Sequence, residues 1–353
     1  ENRSMLESIC FPKYSRAVRR RVSRELPLSG LRPKPKETPP LERTLRDGPQ
    51  VPLECFTNAL GLNIIVYSWP ATTKRPKAII LMAHGLDGFA ESDLAKRPGL
   101  ADGKGFRGSW LEALTRAGYL IYSFDMQGMG FSESVVDGMR SMCFDYEDYV
   151  DDALQLRHLL SERHPGLPMI MLGGSMGGCV SLLAAERMPS AFAAVVVMAP
   201  AVGHFEKLKA KPSNMLTLPL LGCLSACVPH VPVGAKHINP DSAAVAEEFL
   251  LGLPRYNQPA RMRARYCAEG LRAGELAIAQ AHKLTMPLYI IHARDDEMTD
   301  YAGSEALMAA AASKNKVLIN DLEGADHQIV EADANRYGLK YVQQLIKWLD
   351  QIH

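Results

Sequence analysis

The stretch Pro168-Met-Ile-Met-Leu-Gly-Gly-Ser-Met-Gly-Gly178 decides the fold, because an apolar run passes through Gly-x-Ser-x-Gly into an alanine-rich helical pattern. A serine hydroxyl becomes a good nucleophile when a sharp strand-to-helix turn holds it exposed beside a base. Such a turn strains the serine and crowds its neighbours, which favours glycine at Gly173 and Gly177. A glycine-rich turn whose serine caps a helix shares this pattern, but the flanking strand and helix favour Ser175 as a nucleophile.

Two later segments supply an acid and a histidine. Pro287 to Ala293 reads as a buried strand and runs into Arg294-Asp-Asp-Glu-Met298, and a helical pattern and a short strand lead to Glu323-Gly-Ala-Asp-His327. The resulting chain order is Ser, Asp, His, which is that of α/β-hydrolases and differs from the chymotrypsin and subtilisin types. The histidine would accept the serine proton and return it to the leaving alcohol.

Four aspartates lie near this histidine: Asp295, Asp296, Asp300 and Asp326. We expect Asp296 to be the acid, although an aspartate in such a loop more often forms a turn or a helix cap. Asp326 would have to fold back onto its own neighbour. His327 is the histidine in a loop after the last strand, and we interpret three others as solvated or structural: His158, His164 and His292.

An oxyanion hole is predicted after an early strand. Lys77 to Ala83 reads as a strand and continues into His84-Gly-Leu-Asp-Gly88. In this fold, one backbone N–H comes from the residue after the nucleophile, here Met176, and the other from this early loop, here Leu86. Each donor is worth about 100- to 1,000-fold in turnover. Taken alone, His84-Gly85 would be an ordinary turn that ends a strand.

These segments together resemble the monoacylglycerol lipase and lysophospholipase family of α/β-hydrolases. The resemblance covers roughly residues 50 to 350 and rests on five motifs: His84-Gly85, Asp125-Met-Gln-Gly-Met-Gly-Phe-Ser132, Gly173-Gly-Ser-Met-Gly-Gly178, Asp296 and Glu323-Gly-Ala-Asp-His327. It implies Ser175 as nucleophile, Asp296 and His327 as its partners, and Leu86 and Met176 as oxyanion donors.

The sequence departs from the family pattern in three places. Gly174 stands where the family commonly has a histidine, which predicts a roomier pocket beside Ser175. Leu86-Asp-Gly-Phe89 alters the loop after His84-Gly85, and with it the polar rim of the entrance. An extra stretch, about Glu91 to Gly105, is rich in charge and glycine and predicts a long surface loop or helix over the site.

Composition agrees with a soluble enzyme. The 353 residues are 47% hydrophobic and carry a net charge of +1, which gives no reason to expect nucleic-acid binding. Seven scattered cysteines suit reduced thiols in a cytoplasmic compartment. The sequence shows no metal motif or phosphate loop, so we expect no cofactor and no metal. It begins at Glu1 rather than methionine, so the natural start is not visible.

The alternation of strands and helices predicts three parts. Residues 1–50 form a basic, proline-rich arm, interpreted as solvated rather than as a lipid-binding or targeting segment. Residues 51–200 and 286–353 form an α/β-hydrolase core, a mostly parallel sheet with an antiparallel N-terminal start and helices on both faces. Its strands are predicted near 52–57, 62–69, 77–83, 119–124, 168–174, 193–199, 287–293 and 316–320.

Residues 201–285 are predicted to form an inserted cap over Ser175. Within it, Pro212 to Ala235 carries no charged side chain and is too interrupted by prolines to span a bilayer. We favour an apolar lid that shelters the acyl chain and touches a membrane or micelle over a cap that merely packs on the core.

The predicted activity is hydrolysis of the acyl ester of a mono-acyl lipid, a monoacylglycerol or a lysophospholipid, through an acyl-enzyme. A small-molecule carboxylesterase or an acyl-protein thioesterase would use the same residues. A catalytically silent ligand-binding or scaffold protein is a third alternative, against which the complete set of Ser175, Asp296 and His327 argues. The sequence leaves the oligomeric state open.

Overall fold

A computed structural model describes most of the chain. The described residues are 31–33, 48, 53–90, 93–94, 106–136, 139–203, 205–210, 212–235, 261–322, 325, 327, 329 and 339–352. Nearly all of the predicted arm, residues 1–50, and most of the stretch 91–105 lie outside these residues.

Within the described residues, eleven strands form a nine-stranded sheet and a separate two-stranded sheet. The strands are β1 (Arg32–Pro33), β2 (Glu54–Thr57), β3 (Asn63–Trp69), β4 (Ala78–Ala83), β5 (Tyr119–Phe124), β6 (Met169–Gly174), β7 (Ala194–Met198), β8 (Pro232–Ala235), β9 (Arg261–Arg263), β10 (Leu288–Ile291) and β11 (Lys316–Ile319). All eight strands predicted from the sequence are present, because uncharged runs rich in β-branched residues suit a buried sheet.

The large sheet has the order β1-β2-β3-β5-β4-β6-β7-β10-β11. The first three strands and the β3–β5 pair are antiparallel, and every pair from β5 to β11 is parallel. The mostly parallel sheet with an antiparallel start is thus confirmed. Because parallel strands share one carboxyl edge, the loops after β4, β6, β10 and β11 meet there.

Helices cover both faces of this sheet. They are α1 (Trp110–Arg116), α2 (Glu147–Arg163), α3 (Ser175–Arg187), α4 (Glu206–Ala210), α5 (Pro212–Cys227), α6 (Ala264–Gln280), α7 (Tyr301–Ala310) and α8 (Lys340–Leu349). Side chains of β4 alternate between two cores: Ile79 and Leu81 join the core under α2, α3 and α6, while Ile80 and Met82 join the core under α1 and α8. This two-sided burial explains the continuous apolar strands.

The segment between β7 and β10 contains α4, α5, α6 and the small sheet of β8 and β9. Tyr266, Ala273 and Ala277 of α6 are buried in the same core as α3, so this segment is packed onto the main sheet layer. Pro219 lies inside α5, where its missing N–H weakens the helix without ending it. In the described part of the chain, no helix is both long and apolar enough to cross a bilayer.

Candidate active site

Ser175 lies at a strained turn between β6 and α3. Its φ is +51°, in the left-handed region that a non-glycine residue rarely adopts. A Cβ built on Gly173 would lie 2.2 Å from the Gly177 carbonyl oxygen, and one on Gly177 would lie 2.1 Å from the Ala83 carbonyl oxygen. Both contacts are with backbone, so the two glycines are required, as the sequence predicts. The turn therefore stores strain at the residue that it presents, which is common at functional sites.

Hydrogen bonds to the carbonyls of Ser175 and Met176 hold this turn in place from two sides. The Ala201 N–H donates to the Ser175 carbonyl at 2.9 Å, and the Tyr146 hydroxyl donates to the Met176 carbonyl at 2.9 Å. Tyr266 of α6 contacts the Met176 side chain through its hydroxyl and is itself buried. The start of α3 is thus fixed by the core on one side and by α6 on the other.

Asp296 and His327 are in direct contact. Asp296 follows β10, His327 follows β11, and the His327 Nδ1 lies 2.7 Å from the Asp296 Oδ2. The Asp296 side chain is fully buried, whereas His327 is 11% exposed. Since a carboxylate can only accept, His327 carries its proton on Nδ1 and leaves Nε2 with a free lone pair. The pair has the geometry of a histidine base and the acid that orients it.

The Asp296 carboxylate accepts several further hydrogen bonds. Its Oδ1 accepts the backbone N–H groups of Met298 at 2.7 Å and Thr299 at 2.9 Å. Its Oδ2 also accepts the Thr299 hydroxyl at 2.9 Å and lies 3.3 Å from the His292 Nε2. Burial raises the pKa of Asp296, but the bonds from His292, His327 and the Thr299 backbone outweigh it and hold the pKa well below its usual range.

The other candidate aspartates and histidines have different surroundings. Asp295 is exposed, Asp300 stands at the N-cap position of α7, and Asp326 lies outside the described residues. His158 is exposed and pairs with Glu162, as expected for a solvated histidine. His292 is fully buried, with its Nδ1 2.7 Å from the Ser304 Oγ, and it supports the acid rather than facing solvent.

The loop after β4, which carries Leu86, lies against Ser175. A Cβ built on Gly85 would be 3.5 Å from the Ser175 Cβ. His84 is fully buried; its Nδ1 lies 2.7 Å from the Gly85 carbonyl and its Nε2 accepts the Met126 N–H at 3.0 Å. These bonds fix the loop, so His84 positions the backbone that carries the predicted oxyanion donor.

The motif from Asp125 to Ser132 supports the same loop. The Asp125 carboxylate accepts the N–H of Ala90 at 2.7 Å and the N–H of Phe131 at 2.8 Å. A Cβ on Gly130 would lie 2.1 Å from the Asp125 Cγ, so only glycine leaves room for the carboxylate. The motif is therefore a scaffold beneath the β4 loop.

Asp93 reaches the site from the stretch 91–105. Its Oδ2 accepts the Gly85 N–H at 2.7 Å, and a Cβ built on Gly174 would lie 2.9 Å from the same oxygen. Sequence reasoning missed Asp93 and Thr299, and it did not connect His292 with Asp296. Only Thr299 had a signal, because an aspartate side chain in a loop often accepts the backbone N–H of a residue two or three positions later.

Acyl transfer requires a nucleophile, a general base and hydrogen-bond donors that stabilise the oxyanion. Here a strained serine turn, a histidine bonded to a buried acid and a fixed backbone loop share the carboxyl edge of one parallel sheet. The chain is accordingly a serine hydrolase of the α/β-hydrolase fold.

Comparison with known proteins gives the family. The profile of the family described as serine aminopeptidase, S33, matches residues 97–333, and the chain belongs to this family. It is 28% identical to the monoglyceride lipase of Homo sapiens over 83% of this chain and 88% of that protein. It is 26% identical to the monoacylglycerol lipase of Mycolicibacterium smegmatis, over 78% of this chain and 89% of that one.

A solved structure shares the fold. It is a soluble variant of the monoglyceride lipase of Saccharomyces cerevisiae, in complex with a substrate analogue. This structure matches with a TM-score of 0.65 and 21% identity, covering 91% of this chain and 99% of that one.

Proposed function

We propose that this protein hydrolyses the acyl ester of a mono-acyl lipid, a monoacylglycerol or a lysophospholipid, through an acyl-enzyme. Ser175 is the nucleophile, His327 the general base and Asp296 the acid that orients it. The backbone N–H groups of Leu86 and Met176 stabilise the oxyanion. The observation that carries the proposal is the 2.7 Å contact between His327 and the buried Asp296, on the sheet edge that also presents Ser175.

The first half of the reaction follows from the His327 tautomer. With Nδ1–H held by Asp296, Nε2 accepts the Ser175 proton while the serine oxygen attacks the ester carbonyl. The imidazolium that forms is stabilised by the ionised Asp296, whose lowered pKa keeps it charged at neutral pH. The imidazolium then protonates the departing alcohol, which leaves the acyl group on Ser175.

The second half repeats these steps with water. His327 Nε2 accepts a proton from water, the hydroxide attacks the acyl carbonyl, and the imidazolium returns its proton to the serine oxygen as the fatty acid leaves. In both tetrahedral intermediates the negative oxygen receives the two backbone N–H groups. These donors need no reorganisation, because His84 and Asp125 already fix the β4 loop.

The substrate class rests on the relatives and on the apolar segment between the core strands. Monoglyceride and monoacylglycerol lipases align over about four fifths of this chain. We propose that residues 201–285 form a cap over Ser175 and shelter the acyl chain. Tyr266 on the Met176 side chain and the uncharged α5 support this role, since an acyl chain needs an apolar path to the nucleophile.

The exposed side of α5 suits contact with a membrane or micelle. Met215 is 67% exposed and Leu220 is 57% exposed, and Val228 just beyond the helix is 48% exposed. Several large apolar side chains exposed in one segment suit an interaction site. We propose that this face rests on the lipid surface from which substrate is drawn. The free cysteines among the described residues suit the cytoplasmic side.

A fluorophosphonate probe tests the nucleophile. Wild-type protein should be labelled, Ser175→Ala should not, and Ser161→Ala, a control serine on α2, should react like wild type. Absence of labelling in folded wild-type protein would favour a silent ligand-binding protein. Labelling that persists in Ser175→Ala would place the nucleophile elsewhere.

A substrate series tests the class of ester. Monoacylglycerols and lysophospholipids with long acyl chains should give a higher kcat/KM than p-nitrophenyl acetate and butyrate on the same preparation. A sharp optimum at short chains would indicate a small-molecule carboxylesterase instead. Preference for an acylated cysteine peptide would indicate a protein thioesterase.

A further inference from the structure

The carboxylate of Asp93 lies beside the nucleophile turn but takes no part in the proton transfers. Its Oδ2 accepts the Gly85 N–H at 2.7 Å. The backbone of Gly85 is itself next to Ser175, since a Cβ on Gly85 would lie 3.5 Å from the Ser175 Cβ. The Asp93 carboxylate is therefore bonded to the residue whose backbone adjoins Ser175.

The glycine before the nucleophile makes room for this carboxylate. A Cβ at Gly174 would lie 2.9 Å from the Asp93 Oδ2, closer than such atoms approach. Gly174 has an extended backbone conformation that any residue can adopt. The reason for a glycine there is therefore the lack of room for a side chain beside Asp93. The start of α3 carries the positive end of the helix dipole, which further favours a carboxylate at this place.

The charge of the Asp93 carboxylate determines whether the acyl chain or the alcohol portion of the ester faces it. An acyl chain needs apolar walls, and a carboxylate in such a wall would lose its hydration without compensation. Tyr266 and Met176 are in contact and buried on the α6 side of the turn, so the apolar side chains lie there. Asp93, which is partly exposed, is suited to face the alcohol portion of the substrate instead.

We propose that Asp93 determines specificity for the leaving alcohol: it accepts hydrogen bonds from the hydroxyls of an uncharged head group and repels an anionic one. The inference rests on the proposed function and narrows its substrate class. Monoacylglycerols are favoured over lysophospholipids whose head group carries a net negative charge, such as a mono-acyl glycerol phosphate.

Asp93→Asn separates charge from structure. The asparagine oxygen can still accept the Gly85 N–H, but the repulsion of an anion is lost. Two substrates with the same acyl chain, a monoacylglycerol and the mono-acyl glycerol phosphate, are compared in neutral detergent micelles. The ratio of kcat/KM for the anionic lipid to that for the neutral lipid should rise about ten-fold, as expected for unit charges several ångströms apart and partly screened.

Two further variants keep the result interpretable. Gly174→Ala should push the carboxylate away and raise the same ratio, without any change of charge. Asp151→Asn on α2 removes an equal charge from an exposed position and should leave the ratio at its wild-type value.

An unchanged ratio in Asp93→Asn, with monoacylglycerol still hydrolysed, would overturn this inference and leave the proposed function standing. An equal rise for both lipids would also overturn it, since it would show that Asp93 merely obstructs the site. If wild-type protein reacts with the fluorophosphonate but hydrolyses neither lipid, the proposed function fails and this inference fails with it.

Discussion

At the scale of single residues, the site depends on one buried carboxylate. Asp296 is fully buried, yet hydrogen bonds from His292, His327 and the Thr299 backbone N–H hold its pKa well below the usual range and keep it ionised. A buried charge is tolerated only when hydrogen bonds replace its lost hydration. Here those bonds also fix the carboxylate in the position that holds the imidazole.

Asp296→Asn should abolish most of the activity without unfolding the protein. The amide can donate to His327 Nδ1, which would move the histidine proton to Nε2 and leave no base toward Ser175. We expect kcat to fall about 1,000- to 10,000-fold. The measurement is monoacylglycerol hydrolysis by protein whose circular dichroism matches wild type.

Asp295→Asn is the matched control, because Asp295 is the exposed neighbour in the same loop. It should retain activity within about two-fold, as surface substitutions usually do. Equal losses in the two variants would mean that the acid is misassigned.

The limits of sequence reasoning are clear at this scale. Ser175 could be predicted as the nucleophile because its motif is contiguous in sequence. The glycines around it could be predicted because steric crowding at the turn excludes larger residues. Asp93 could not be found, because its contacts are with Gly85 and the space beside Gly174, and no local pattern links residue 93 to residue 174. His292 was interpreted as solvated or structural, and only tertiary packing shows that it is buried and borders Asp296.

At the scale of elements, the strands were predictable and the segment between β7 and β10 was not. The central strands are continuous uncharged runs. Such runs are typical of parallel strands that are buried on both faces, so their sequence predicts them directly. Strand β1 is only Arg32–Pro33 and has no apolar pattern, and its pairing with β2 is decided by a neighbour rather than by its own residues. The same holds for β8 and β9, which pair across a long separation in sequence.

The exposed face of α5 gives a prediction for lipid surfaces. Leu220→Glu places a charge where we propose contact with the membrane, so it should weaken binding to neutral phospholipid vesicles and lower activity on micellar monoacylglycerol by several-fold. Hydrolysis of a dissolved short ester should not change, because the nucleophile is untouched. Vesicle sedimentation and the two assays measure these effects.

Met188→Glu provides the control for α5. Met188 is 41% exposed at the end of α3, outside the proposed contact face, and the substitution adds the same charge. It should leave both binding and activity at wild-type values. If it weakens vesicle binding as much as Leu220→Glu, general charge repulsion rather than a specific face explains the result.

Helix α3 also carries a buried acid that should make stability depend on pH. Glu186 is 2% exposed, and in the described part of the chain neither of its carboxyl oxygens has a hydrogen-bond partner. Burial raises the pKa of Glu186 to about 9, and the charge of Lys283 offsets only part of this effect. The folded protein therefore keeps a proton that the unfolded chain releases near its ordinary pKa of about 4.5.

The sign of the effect follows from this difference. The folded state binds more protons than the unfolded state between about pH 4.5 and pH 9, so stability falls as pH rises through that window. Relative to Glu186→Gln, wild-type protein should lose on the order of 2–4 kcal/mol between about pH 5 and pH 8. Urea unfolding of both proteins across this range measures the difference. Parallel stability curves would show that Glu186 does not titrate as proposed.

At the scale of the whole molecule, one sheet joins two cores. The core under α2, α3 and α6 and the core under α1 and α8 share β4, whose side chains alternate between them. All three tryptophans, Trp69, Trp110 and Trp348, belong to the second core. Tryptophan fluorescence thus reports on the face of the sheet opposite to α6.

Because the tryptophans lie on the opposite face from α6, their fluorescence can show whether α6 and the sheet unfold together. Ala277 of α6 is fully buried against the α3 side, so Ala277→Ser should bury an extra hydroxyl and lower the free energy of unfolding by about 1–2 kcal/mol. If α6 and the sheet unfold together, circular dichroism and tryptophan fluorescence should show the same shift in midpoint. Ala302→Ser, on the exposed side of α7, should shift neither. A shift seen by circular dichroism but not by the tryptophans would mean that the segment between β7 and β10 unfolds by itself. The turn at Ser175 could then lose its contact with α6 while the rest of the core stays folded.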